Sequence, residues 1–215
     1  LYGVSGQYFD NGRWNNAYSI SQNANPNLKW EETRMFNVGI DFALLRGRID
    51  GSLDWYDKET KDLLFTYEVP VPPYFIPTML ANVGTMSNKG VELIVNSDVI
   101  SKSDFRWNLT FNVAHNKNKI LKLSDDAFQT RSVKVGDIFI RGGSGNTSSV
   151  VEEGKEVGTF FMWRATGLDE QGHYIMDDMV DGEPGLTEAD RTYVGSAQPK
   201  LTYGINNTFS YKNWD

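Results

Sequence analysis

An all-β fold of long antiparallel strands is predicted by three features of the sequence. Apolar and polar residues alternate in five separate stretches, patterns of helical period are scarce, and Gly, Asn and Thr are common. Alternation with a period of two places successive side chains on opposite faces of a sheet, so each stretch predicts a two-faced strand.

The strands are expected at about 30–45, 48–66, 84–99, 105–121 and 199–212, with long loops at 67–83 and 122–198. In the first, Phe36, Val38, Ile40, Phe42 and Leu44 alternate with Asn37, Gly39, Asp41 and Ala43. After the short turn "RGR", Ile49, Leu53 and Trp55 alternate with Asp50, Ser52 and Asp54. The third sets Val91, Leu93, Val95 and Val99 against Glu92, Ile94, Asn96 and Asp98. The fourth opposes Phe105, Trp107, Leu109, Phe111 and Val113 to Arg106, Asn108, Thr110, Asn112 and Ala114. In the fifth, Leu201, Tyr203, Ile205, Phe209 and Tyr211 face away from Thr202, Gly204, Asn206, Thr208 and Ser210.

A soluble sheet, apolar inside and polar outside, gives the same alternation. The polar faces argue against it: none of their 21 positions is lysine and 12 are Asn, Ser, Thr or Gly, whereas solvated sheet faces usually carry long charged side chains. Short neutral groups suit a crowded, water-filled lumen. The opposite face carries no charge, as a lipid-facing surface requires, because a Lys or Arg at the bilayer midplane costs about 2–4 kcal/mol. Short connections ("RGR", "VISKSD") alternate with long ones, the asymmetry of outer-membrane barrels with long loops outside the cell. Aromatics near strand ends, Trp30, Trp107, Tyr211 and Trp214, fit interface girdles, and core aromatics explain them almost as well. The competing expectation is a soluble β-sandwich carbohydrate-binding or interaction module, with Val91, Leu93, Phe105, Leu109 and Phe111 buried in a closed core.

Composition narrows the function. The chain has 215 residues with a net charge of −7, so a nucleic-acid partner is not expected. It has no cysteine, which removes disulfide and thiol chemistry. No segment approaches the roughly 20 apolar residues of a membrane helix, a statement that leaves strands untouched. The N-terminal "LYGVSGQYFDNGRW" lacks the pattern of a secretory signal, so either the protein stays where it is made or this chain is an internal piece of a longer one.

Four stretches in order carry a resemblance: "NPNLKWEETRMFNVGIDFALLRGRI" (25–49), "NVGTMSNKGVEL" (82–93), "EGKEVGTFFMWRATGLDEQG" (153–172) and "DRTYVGSAQPKLTYGINNTFSYKNWD" (190–215). Together they resemble the C-terminal barrel of SusC/RagA-type TonB-dependent outer-membrane transporters. The resemblance implies an up-and-down transmembrane β-barrel of about 22 strands closed by a plug, in the outer membrane of a Gram-negative cell. It further implies import of a glycan or peptide, energy delivered by TonB through the plug, and a SusD-like surface lipoprotein as partner. Residues 1–215 then form about five strands of that barrel, with outer-membrane lipid around them and no plug domain in this chain.

The residues expected to face the lumen, from parity alone, are Asn37, Asp41, Asp50, Asp54, Asn96, Asp98, Asn108, Asn112 and Asn206. "MDDMVDGEPGLTEADR" (176–191) spaces Asp178, Asp181 and Asp190 around Gly182 in an echo of a calcium loop, but Val180 replaces an oxygen donor and the insertion at Pro184 breaks the spacing; a rigid acidic turn is the simpler reading. "RGGSGNTSSV" (141–150) lacks the ending of a phosphate loop and reads as a surface loop. "VPVPPYFIP" (69–77) reads as a stiff loop over the barrel mouth, with Tyr74 and Phe75 able to stack on a ligand. His115 and His173 lie in no catalytic motif, and adjacent Asp177 and Asp178 point apart on an extended chain. No enzyme activity and no cofactor are expected.

Overall fold

The computed structural model describes residues 2–138, 146–178 and 185–214. Its strands are β1 (Tyr2–Asp10), β2 (Arg13–Ile20), β3 (Glu32–Leu44), β4 (Ile49–Glu68), β5 (Thr78–Ser101), β6 (Phe105–Lys122), β7 (Ser132–Asp137), β8 (Thr147–Glu152), β9 (Thr159–Met162), β10 (Ala165–Leu168), β11 (Tyr174–Met176), β12 (Thr192–Ser196) and β13 (Thr202–Tyr211). There is no α-helix among the described residues. The main sheet is antiparallel, in the order β13-β6-β5-β4-β3, the incomplete up-and-down arrangement that the resemblance implies.

Register carries that alternation across the strands. Ile40, Leu53, Leu93, Val113 and Tyr203 form one lateral row, and Phe42, Gly51, Val95, Phe111 and Ile205 the next. Directly opposed residues point to the same side, so these rows build one continuous apolar face. From Phe105 to Val113 that face spans nine residues of β6, close to the roughly 9–11 that a tilted membrane strand needs. Towards the long-loop end it stops abruptly, because the row after Val38, Trp55, Val91 and His115 is Phe36, Asp57, Lys89 and Lys117. Its non-apolar members are accommodated: Trp107 Nε1 donates to Asn207 Oδ1 at 3.1 Å, and the Phe42 ring covers Gly51. A bulge beyond Asp98 sets Ile100 opposite Trp107.

No described residue covers the apolar face. Ile40 and Ile205 are 62% and 61% exposed, and none of Val91, Leu93, Phe105, Leu109 and Phe111 is buried. The closed core of a soluble sandwich is therefore overturned. A large apolar side chain left in water forgoes roughly 1.5–3 kcal/mol of burial. Phe36, Val38, Ile40, Leu44, Leu53, Trp55, Val91, Leu201, Ile205 and Phe209 are each about half exposed, and together they forgo on the order of the 5–15 kcal/mol that stabilises a whole domain. Water is the wrong solvent for this face.

The buried core lies beyond the apolar rows. Tyr67, Ala81 and Val83 cluster with Phe65 and Phe128, the Tyr67 and Phe128 rings are 4.7 Å apart, and Tyr67 Oη donates to Leu123 O at 2.9 Å. Here β4 and β5 run on past a bulge at Asp62 (φ 59°), so the connection expected at 67–83 shrinks to 69–77.

The stretch expected as one loop, 122–198, holds a four-stranded sheet in the order β12-β9-β8-β7 and the β10–β11 hairpin. These strands have three to six residues, too few for alternation to register, and part of their pairing is broken by bulges. Buried Arg191 ties the small sheet together, its Nε donating to Phe161 O at 3.1 Å and its Nη2 to Thr147 Oγ1 at 3.3 Å. The N-terminal hairpin β1–β2 was also unforeseen, although its Asn11-Gly12 turn, with φ of 50° and 78°, is a strong hairpin signal.

Gly51 supplies a test of the register. A Cβ there would lie 2.1 Å from Ile94 O, a backbone atom of the neighbouring strand. In the full-length barrel, Gly51→Val is expected to lower stability by about 1–3 kcal/mol, read as a lower urea midpoint on heat-modifiability gels; an unchanged midpoint would contradict this packing.

Candidate functional site

The nine residues assigned to the lumen from parity all lie on the face opposite the apolar rows. Asp50, Asn96, Thr110 and Asn206 form one lateral row, and Asp41, Ser52, Ile94, Asn112 and Gly204 the next. Asp54 lies against Gly39 in the row of Glu92, and Asn37 stands opposite Tyr56. Asp98 and Asn108 close the face towards the short turns.

Several are joined through their side chains. Asn96 Nδ2 donates to Asp50 Oδ2 at 2.9 Å, and Thr110 Oγ1 donates to Asn96 Oδ1 at 3.0 Å, a chain across three strands. Asn108 donates its amide to Asp98. Nearer the loops, Tyr56 crosses over Gly90 to donate to Asn116 Oδ1 at 3.0 Å. Thr110 is expected on this face but is not among the nine lumen candidates, and Tyr56 and Asn116 join it there by the same parity. Short side chains in cross-strand hydrogen bonds hold the wall in one shape and leave free lone pairs and amide protons for a passing polar solute.

At the long-loop end the backbone is clamped by polar side chains. Buried Asn23 donates to Thr78 O at 2.9 Å and accepts from the Phe75 and Ile76 amides at 3.2 and 3.3 Å, filling the place of a paired strand. Asn82 binds both the N–H and the C=O of Lys29 at 3.0 and 2.9 Å. Between these clamps lies a cavity of about 450 Å³ lined by Asn25, Asn27, Tyr74, Asn82, Asp125 and Phe128. Tyr74 thus reaches a concave site, while Phe75 is 74% exposed beside it. Its lining sets amide and carboxylate groups beside aromatic rings, the mix of polar and apolar groups of a ligand pocket.

Glu153 fastens the neighbouring loop. Its carboxylate accepts from the Leu123 and Ser124 amides at 2.7 and 3.0 Å and from Ser124 Oγ at 2.8 Å. The Leu123 amide above all, with Ser124 and nearby Arg131, holds its pKa below the ordinary value of 4.5 against a smaller opposing effect of burial.

The acidic stretch before β12 resolves in part. Asp190 is 1% exposed and closes a capping box, accepting from Thr187 N at 2.7 Å and Thr187 Oγ1 at 2.8 Å. Asp178 is exposed, and Asp181 lies outside the described residues. Of the 141–150 stretch, 141–145 lie outside the described residues and 147–150 belong to β8. His115 meets Lys200 O through Nδ1 at 2.5 Å, a rim contact.

The chain matches the family model described as TonB dependent receptor-like, beta-barrel, over residues 2–214. It is 33% identical to TonB-dependent receptor SusC of Bacteroides thetaiotaomicron over 220 residues, covering 100% of this chain and 22% of that protein. It is 32% identical to TonB-dependent receptor P3 of Formosa agariphila, covering 93% of this chain and 21% of the relative. Among solved structures, the RagAB peptide transporter aligns with a TM-score of 0.74 at 23% identity, covering 99% of this chain and 23% of that one. An 'open-open' state of the RagAB peptide importer aligns with a TM-score of 0.75 at 25% identity. The chain spans about a fifth of the length of these curated relatives.

Glu153 gives a pH-dependent prediction. A carboxyl whose folded pKa is depressed stabilises the fold above its unfolded pKa, and that stabilisation is lost as pH falls through the folded value. Glu153→Gln is therefore expected to weaken protection of the Leu123 and Ser124 amides by about 1–2 kcal/mol at neutral pH. The difference from wild type should vanish below the depressed pKa. Hydrogen exchange at pH 7 and at low pH measures it, and a pH-independent difference would refute the charge-based account.

Proposed function

Since the chain belongs to the TonB-dependent receptor-like β-barrel family, we propose that it forms part of the wall and loops of an outer-membrane importer in a Gram-negative cell. The observation that carries this reading is the division of one sheet into an uncovered apolar face and a hydrogen-bonded polar face. The apolar face meets outer-membrane lipid. The polar face, with Asn37, Asp41, Asp50, Asp54, Asn96, Asp98, Asn108, Asn112 and Asn206, lines the path of the solute.

The solute is a glycan or a peptide, the two classes that the resemblance to SusC/RagA-type transporters implies, the second also in the description of the RagAB peptide transporter. It first meets the concave site between Asn25, Tyr74, Asn82 and Phe128 at the long-loop end, outside the cell. A SusD-like lipoprotein covers that end, and TonB acts on a plug held by the rest of the importer. The wall does no bond-making or bond-breaking. It offers short side chains whose hydrogen bonds exchange readily with those of the solute, while side chains joined across strands keep the bore from collapsing onto it.

The absence of native cysteine from these 215 residues makes the two faces separable by single thiols. In cells carrying the full-length importer, cleared of any other reactive thiols, Asn206→Cys and Asn112→Cys should react with a small water-soluble maleimide. Ile205→Cys and Phe111→Cys should be protected from it until the membrane is dissolved. Equal reactivity of neighbours 205 and 206, or labelling in the inverse order, would refute this orientation. Recovery of the protein in a soluble fraction would refute the location.

A further inference from the structure

A basic cleft opens beside β6, where the apolar face ends. It has a volume of about 460 Å³ and is bordered by Lys117, Lys119, Lys155, Lys200, Tyr193 and Glu156. Four lysines converge on it in a chain whose net charge is −7. None of the four has a carboxylate partner among the described residues, whereas Lys29, Lys61, Lys89 and Lys134 are each paired with one. Glu156 is the single acid on the lining, and nearby Glu152 is engaged by the Tyr193 hydroxyl at 2.5 Å.

The position of the cleft identifies its occupant. Lys117 and Lys119 lie on β6 with the same parity as Leu109, Phe111 and Val113, so they emerge from the apolar face just past its upper edge. A lysine at that height lays its hydrocarbon stem along the apolar surface and lifts its ammonium to headgroup level. Lys155 is held by the Tyr193 ring, with Nζ 3.8 Å from the ring centroid. Several ammonium groups around a cleft open to the membrane rim suit a phosphorylated headgroup, whose oxygens accept several charge-assisted hydrogen bonds at once. A soluble anion would have no reason to be met at the border of an apolar band.

We propose that this cleft binds the phosphorylated headgroup of a glycolipid in the outer leaflet, fixing the barrel's height and rotation in the membrane. The proposal rests on the apolar face meeting lipid with the long loops outside.

The test uses the full-length importer in phosphatidylcholine nanodiscs with and without diphosphorylated lipid A, and measures lipid A retained after mild detergent extraction by native mass spectrometry. The variant carrying Lys117→Gln, Lys119→Gln, Lys155→Gln and Lys200→Gln should bind lipid A roughly tenfold more weakly, and the corresponding four Lys→Arg changes should preserve binding. Equal retention by the Gln variant would overturn the proposal. So would full displacement by inorganic phosphate at the same concentration, which would mark a site for soluble anions. The thiol pattern at 205 and 206 reports separately on the lipid-facing reading. Protection of Ile205→Cys with no lysine-dependent lipid A binding rejects the cleft alone, and labelling of Ile205→Cys rejects the face on which it depends.

Discussion

Antiparallel register is the constraint on which the rest of this structure depends. A slip of one residue in any strand would carry its whole apolar set to the polar face, so pairing must be pinned at several points. One pin is the turn between β3 and β4, where Leu45, Arg46 and Gly47 all take positive φ. Arg48 extends it, donating through Nη2 to Asp98 O and Val99 O at 3.0 Å and thereby tying the turn to the end of β5. Glycines supply further pins. Tyr56 over Gly90, Asp54 over Gly39 and Phe42 over Gly51 each fill a gap that exists in one register only.

The strands pass through three environments along their length, and their chemistry changes with each. At the short-turn end, Phe105, Trp107 and Phe209 stack with centroid separations of 5.6 and 6.4 Å, and Tyr211 and Trp214 lie beside them, a cluster suited to an interface that is apolar on one side and wet on the other. The middle rows are apolar on one face and carry Asn, Asp, Ser and Thr on the other. Past His115 the formerly apolar face becomes charged, and a conventional buried core around Tyr67 appears. The strands thus leave an apolar face uncovered at mid-height and bury a conventional core at the loop end.

The legibility of the sequence follows the same division. Long strands with one face in a uniform medium must alternate strictly, and β3, β4, β5, β6 and β13 could be read for that reason. Where the core resembles that of a soluble protein, burial comes from many directions and alternation fades. Strands β7 to β12 could not be seen among the loop residues, and β5 extends well before the point where its alternation becomes clear. The polar-face residues were legible through parity, but their linkage was not: that Thr110 reaches Asn96, and Tyr56 reaches Asn116, depends on which residues of distant strands stand opposite each other. Asn23 and Glu153 were invisible for a related reason, because an Asn or Glu in a loop has no sequence mark of the backbone it will hold. The Asn11-Gly12 turn is the exception, because its signal is local and stands in the sequence itself.

The sheet's edges carry the remaining constraint. Among the described strands, β3 pairs only with β4 and β13 only with β6, so each keeps one side of its backbone without a ladder partner. In water those N–H and C=O groups would be solvated, but in the membrane setting proposed above they would lie at hydrocarbon depth, where each unsatisfied group costs several kcal/mol. Over the 10 residues of β13 and the 13 of β3 the sum far exceeds anything the side-chain network could return. Further strands must therefore flank both edges until the ring closes. In the ring of about 22 strands that the resemblance implies, these five would make up a little under a quarter of the wall. The apolar face and the unpaired edges thus impose the same requirement by independent routes, since lipid on one side is tolerable only when the backbone is closed on the other two.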